Sequence, residues 1–97
     1  MITIDSAKAN GIVQQKLTNL VQSILDGEAL KHNYDNIVSA TSYAGYVNQF
    51  QAEGIAFCVW RSSVWAKCYE IMADVLNGER QVPTETELIG ELPKLTL

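Results

Sequence analysis

Arg61 is the residue of this chain whose setting demands chemistry. It stands within residues 50–78, FQAEGIAFCVWRSSVWAKCYEIMADVLNG, a stretch that also holds both tryptophans, both cysteines and the one methionine besides Met1. At about 100° per residue on a helical wheel, Arg61 falls near the middle of an apolar arc, between Cys68 and Met72. Phe57 and Trp65 lie one turn away. A buried guanidinium without a partner is too costly to persist, so a carboxylate or several carbonyls must meet it. Glu53, two turns earlier on the same side, and Asp35 or Tyr34 from the preceding segment are the groups within reach. One reading of Arg61 is structural: an ion pair, or a stem stacked on Trp65 with its head in water. The other is an arginine that binds a partner or ligand at a subunit groove.

The remaining reactive groups are few. His32 is the only histidine and sits at a helix end, where a cation suits the dipole better than a catalytic base would be served. No serine or cysteine has that histidine at a suggestive position. The carboxylate pairs Glu85/Glu87 and Asp74/Glu70 fall on solvated faces, and no glycine-rich loop precedes a helix to cradle phosphate. Cys58 and Cys68 are ten residues apart on one helix, hence about 15 Å along its axis, too far for a disulfide. They read as reduced core thiols, and no Cys or His stands at metal-ligand spacing. The expected sets of catalytic, cofactor-binding and metal-binding residues are therefore all none. The chain is read as not an enzyme.

Composition narrows the partners. The 97 residues are 47% hydrophobic and 19% charged, with a net charge of −4. A nucleic-acid surface needs clustered Lys and Arg, whereas the seven basic residues here are scattered. The longest apolar run is GIAFCVW, far short of the roughly 20 residues a spanning helix needs. The lead MITIDSAKAN has no apolar core of signal-peptide length. No nucleic acid, no membrane and a cytoplasmic location are expected. A chain this short buries only about 60–65% of its unfolded surface, which favours association of subunits.

The elements that position these groups are all helical. Ile12, Val13, Leu17, Leu20, Val21, Ile24 and Leu25 recur at helical spacing and predict a first helix over about 6–31, with Asp5 or Ser6 as its cap. Gly11 and Gly27 weaken it by about 1 kcal/mol each, and Gly27 is a candidate early end. Asp35 caps a short second helix over about 35–43, and Gly45 supplies a left-handed end. Asn48 and Gln51 have capping-box spacing and open the long helix over about 49–77, which Asn77-Gly78 stops. Thr84 and Glu87 form a clear capping box, with Pro83 as a staple on Leu88, for a last helix over about 84–92 ended by Pro93. Residues 1–5 read as a ragged arm or a brief strand, and 94–97 as an apolar tail that either docks or frays. There is no heptad array long enough for a coiled coil. The fold class is all-α, one small helical bundle of two long and two short helices in a single domain 1–97.

On the wheel the apolar side chains of the long helix fill roughly half its circumference, more than the stripe of about 100° a surface helix needs. The helix is therefore expected to be covered on two sides. Trp60 and Trp65 stand on opposite borders of the apolar arc, where tryptophans either anchor interfaces or close a core. Tyr34, Tyr43 and Tyr46 are expected as an aromatic wall beside them. The short helices carry few large apolar residues, so a homodimer is favoured over a monomer.

Several stretches carry a resemblance. Tyr34-Asp35-Asn36-Ile37, Ser42-Tyr43-Ala44, Ala52-Glu53-Gly54, Trp60-Arg61-Ser62-Ser63-Val64-Trp65, Cys68-Tyr69 and Pro83-Thr84 through Glu91-Leu92-Pro93 occur in this order. Together they resemble small phage and prophage proteins, and C-terminal segments of larger ones, from tail and tail-fibre gene modules. The similarity spans about Gln15 to Pro93; Asn33 stands where similar sequences often have glycine. The resemblance implies no catalytic residue. It implies a non-enzymatic virion component or tail-assembly helper that works through protein partners. Under it, Tyr34, Asp35, Glu53, Trp60, Arg61 and Trp65 are a shared structural network. The alternative role is a cytosolic helical dimer that regulates or contacts the host.

Overall fold

Two stripes of apolar side chains build the core. On the first helix Leu17, Val21, Leu25 and Ala29 recur every fourth residue and are fully buried. On the long helix Gly54, Phe57, Trp60, Val64, Cys68 and Ile71 do the same at steps of three and four. In a computed structural model of the chain these stripes belong to α1 (Thr3–Lys31) and α3 (Gln51–Leu76). Between them lie α2 (Ile37–Ser42) and a 3₁₀ turn (Tyr43–Gly45); α4 (Glu85–Glu91) follows. The structure describes the backbone of residues 3–97 and the side chains of residues 11–97. Among the described residues there is no strand. The all-α expectation holds.

The chain reverses between the long helices, so the end of α1 meets the beginning of α3: the His32 ring stands 5.7 Å from that of Phe57. Extents of 57 × 22 × 18 Å and a radius of gyration of 15.8 Å describe a thin body. A compact domain of this length has a radius near about 12.5 Å. A rod two helices wide cannot bury half the circumference of α3. The buried strip is about 120° wide, narrower than the wheel suggested, because Cys58, Arg61, Trp65 and Met72 on its border are only half-buried.

Helix ends explain most of the boundaries. α1 begins at Thr3, so Asp5 and Ser6 fall inside the helix rather than capping it; their side chains lie outside the described residues, as do Met1 and Ile2 altogether. The helix runs through Gly27 and ends in a Schellman motif, with Tyr34 N–H donating to Ala29 O and Asn33 N–H to Leu30 O. Asn33 takes the left-handed position at φ 71°, which asparagine tolerates better than most residues. That turn moves the next cap on by one residue. Asn36, not Asp35, caps α2 by accepting from the Ser39 amide at 2.8 Å. Asp26 of α1 accepts from the Ile37 amide at 3.0 Å, satisfying a second donor of α2 from a neighbouring helix.

Gly45 has no left-handed φ; the 3₁₀ turn ends α2 instead. Nor do Asn48 and Gln51 make a capping box. Asn48 accepts from the Phe50 amide and donates to the Tyr43 and Tyr46 carbonyls, pinning the loop before α3 as an Asx turn. The end of α3 is the expected one, a second Schellman motif with Gly78 at φ 75° and Glu79 N–H donating to Asp74 O.

The predicted capping box at α4 is present: Thr84 Oγ1 accepts from the Glu87 amide and Glu87 Oε1 from the Thr84 amide. Arg80 forms a two-pronged pair with Glu91 at 2.7 Å, tying the connector to the end of this seven-residue helix. Leu88 and Leu92 are buried, and Trp60 Nε1–H donates to Pro93 O at 2.8 Å. The tail therefore docks, with Leu95 against the core, while Leu97 stays exposed. Among the described residues no helix is long and apolar enough to cross a membrane.

Candidate functional site

A turn, a loop and a helix start place one polar pair among rings. The Schellman end of α1 projects Tyr34 toward the first turn of α3, where Glu53 sits. The Tyr34 hydroxyl donates to Glu53 Oε1 at 2.8 Å. The Tyr34 ring meets Phe57 edge-on at 5.6 Å and Tyr43 at 5.6 Å, and Tyr43 meets Phe50 at 5.4 Å. These groups border a cleft of about 360 Å³ lined by His32, Asn33, Tyr34, Tyr43, Phe50 and Glu53. The Asx turn of Asn48 holds Phe50 at its mouth.

Burial, and then the hydrogen bond and negative charge of Glu53, push the Tyr34 hydroxyl from 10.0 up to about 12. The neutral phenol is thus favoured in the folded chain. Its contribution to stability is intact below pH 10, where the unfolded tyrosine is also neutral, and falls as pH rises from about 10 through about 12. Thermal melts over that window should show the Tm advantage of the wild type over Tyr34→Phe shrinking with pH. A constant difference would mean the hydroxyl makes no such contribution.

Of the six residues expected as a network, the structure joins only some. Tyr34 and Glu53 are bonded directly. Trp60 is buried, packs against Phe57 at 6.2 Å, and closes the core as a lid through its bond to Pro93. Asp35 is exposed on the turn and faces no cation among the described pairs. Arg61 is half-buried, not central to the core, and no carboxylate meets it among the described residues. The reason is where α2 stops. The Cys58 thiol lies against Thr41 O, and the 3₁₀ turn lies over Gly54, so cover on that flank ends one turn before Arg61. Arg61 instead borders a shallow depression with Ser62, Trp65, Ala66 and Tyr69, where the Trp65 and Tyr69 rings lie 6.0 Å apart.

Sequence reasoning did not find Phe50, His32 or Asn33 beside Tyr34 and Glu53. Tyr34 and Tyr43 stand together, but against Phe57 and Phe50 rather than beside either tryptophan, and Phe50 takes the place of Tyr46, which is 56% exposed. The readable signal was the density of rings between positions 34 and 57. His32 also lies 3.7 Å from Glu28, across a helical turn. Both cysteines are free thiols; Cys68 is buried, and that burial pushes its thiol up. Among the described residues no three His, Cys, Asp or Glu side chains gather as a metal site. No protein-family model, curated protein or solved structure matches this chain.

Proposed function

We propose that the chain is a non-enzymatic protein of a phage or prophage tail module, a small virion component or a helper in tail or fibre assembly, acting through protein contacts as a homodimer. It would work in the bacterial cytoplasm or within the particle. The module is supported by the resemblance of residues 15–93. The contact mode is supported by one observation, the outer face of α3.

Ala52, Ile55, Val59, Ser62, Ala66, Tyr69 and Ala73 recur at alternating steps of three and four, and all are exposed. Ile55 is 48% exposed, Val59 62% and Tyr69 62%. This is an uncharged seam of three heptads, concealed from a count of large apolar residues by its alanines and serine. Laid antiparallel against a second copy, it pairs Ala52 with Tyr69, Ile55 with Ala66 and Val59 with Ser62. Each layer then sets a large side chain against a small one, as a twofold interface requires of itself. Between Glu53 and Lys67 the only charge on α3 is Arg61, which lies off the seam.

Light scattering on a size-exclusion column should return twice 10.7 kDa, about 21 kDa. Ile55→Glu with Val59→Glu should return 10.7 kDa with unchanged helicity, because both positions are exposed. A wild-type monomer at about 100 µM, roughly a hundredfold above a micromolar Kd, would remove the dimer. Proteomics of purified particles tests the virion role. Normal tails after gene deletion, with a stable host protein in pull-downs, would assign the chain to host contact instead.

A further inference from the structure

We propose that the cleft between the end of α1, the 3₁₀ turn and the start of α3 binds an organic cation, an alkylated ammonium or a guanidinium group. Glu53 serves as counter-charge, and Tyr43 and Phe50 as ring walls. This does not rest on the tail-module reading and uses a surface apart from the α3 seam.

Three observations converge. The first is charge. Among the described residues Glu53 is the only carboxylate lining the cleft, and no Lys, Arg or His pairs with it. Its Oε1 is taken by the Tyr34 hydroxyl, which fixes the carboxylate's orientation, while no hydrogen bond among the described residues engages Oε2. The start of a helix tolerates such a negative charge, which accounts for its standing there without a cationic neighbour. The imidazole lining the cleft, that of His32, has Glu28 beside it at 3.7 Å.

The second is the wall. Tyr34, Tyr43 and Phe50 form a continuous run of rings with centroids 5.4–5.6 Å apart and mutual tilts of 48° and 65°. Tyr43 and Phe50 both line the cleft, and a cation that lies over the face of such a ring is attracted by its quadrupole. A bare ammonium is strongly hydrated and would lose that water against such walls. A guanidinium or a methylated ammonium holds water less tightly and carries the apolar surface these rings can cover.

The third is size. About 360 Å³ lies at the lower end of the range for small-ligand clefts and suits a head group better than a whole cofactor. An anion would face Glu53 with no cation to receive it. A neutral apolar ligand would leave the second carboxylate oxygen unpaired under it.

Such a head group can come from a free small cation or from a lysine-derived or arginine side chain of a protein. Titration of ¹⁵N-labelled protein followed by NMR separates them, using choline, its neutral isostere 3,3-dimethyl-1-butanol, and blocked dipeptides ending in trimethyllysine or arginine. Choline should shift the amides of Tyr34, Tyr43, Phe50 and Glu53 in a saturable way, with the isostere at least about 5-fold weaker. Glu53→Gln keeps an acceptor for Tyr34 and should weaken choline at least about 5-fold with Tm retained. Phe50→Leu, at a ring 43% exposed, gives a second variant that folds and should also weaken it. Tighter binding of a dipeptide than of choline assigns a protein side chain; the reverse assigns a free cation. Equal affinity for choline and its isostere, unchanged affinity in Glu53→Gln, or no shift from any cation at about 100 mM, far beyond the millimolar range of weak ligands, would overturn the proposal.

Discussion

Phe57→Ala should cost about 4 kcal/mol of folding stability and lower Tm by about 15–30 °C. Phe57 is fully buried and is the ring on which three others converge edge-on: His32 at 5.7 Å, Tyr34 at 5.6 Å and Trp60 at 6.2 Å. Truncation removes the transfer free energy of the ring and leaves a cavity that long, stiff neighbours cannot close. It also removes three aromatic contacts, worth about 0.5–1.5 kcal/mol each beyond area burial. A chain of this size has a total stability of about 5–15 kcal/mol, so the variant sits near the limit of folding. Urea titration followed by circular dichroism measures the loss directly. A change below about 1 kcal/mol would place the core elsewhere, because truncating a buried Phe to Ala costs about 3–5 kcal/mol.

Gly54→Ala should lower stability by about 2 kcal/mol, although alanine is the better helix former by about 1 kcal/mol. A Cβ at position 54 would lie 2.7 Å from Ala44 N, 3.0 Å from the Tyr43 carbonyl carbon and 3.3 Å from Ala40 O. All three obstacles are backbone, so no side chain can swing aside. α2 and the 3₁₀ turn must lift off α3, which also spreads the Tyr34–Tyr43 contact. Gly27→Ala is the control. It lies inside α1 with nothing within 4 Å, so it should gain about 0.5–1 kcal/mol. Opposite signs in thermal melts are the expected result; a stabilised Gly54→Ala would mean α2 is not seated on α3.

Local grammar was readable where one residue decides. The Thr84–Glu87 box, the stop at Pro93 and the left-handed Gly78 all follow from side-chain chemistry within four or five positions. The errors about what covers what share a cause. The Asp26 bond to Ile37, the cover of α3 by the 3₁₀ turn and the placing of Arg61 depend on which helix passes where. A wheel shows which residues share a face, but not how far along the axis a neighbour reaches. Arg61 lies on the covered side of α3 yet beyond the end of its cover. Of the candidate site, the Tyr34 and Glu53 members came from reasoning about a buried arginine. Their actual bond is to each other.

The opposite fates of Trp60 and Trp65 give the molecule two separable optical reporters. Trp60 is sealed under Pro93, so its emission responds when the tail lifts or the core opens. Trp65 is half-buried beside Tyr69 on the flank of the α3 seam. An event that covers that flank shifts the second signal and leaves the first alone. Single-tryptophan forms would therefore distinguish docking from unfolding within one titration, with no attached dye.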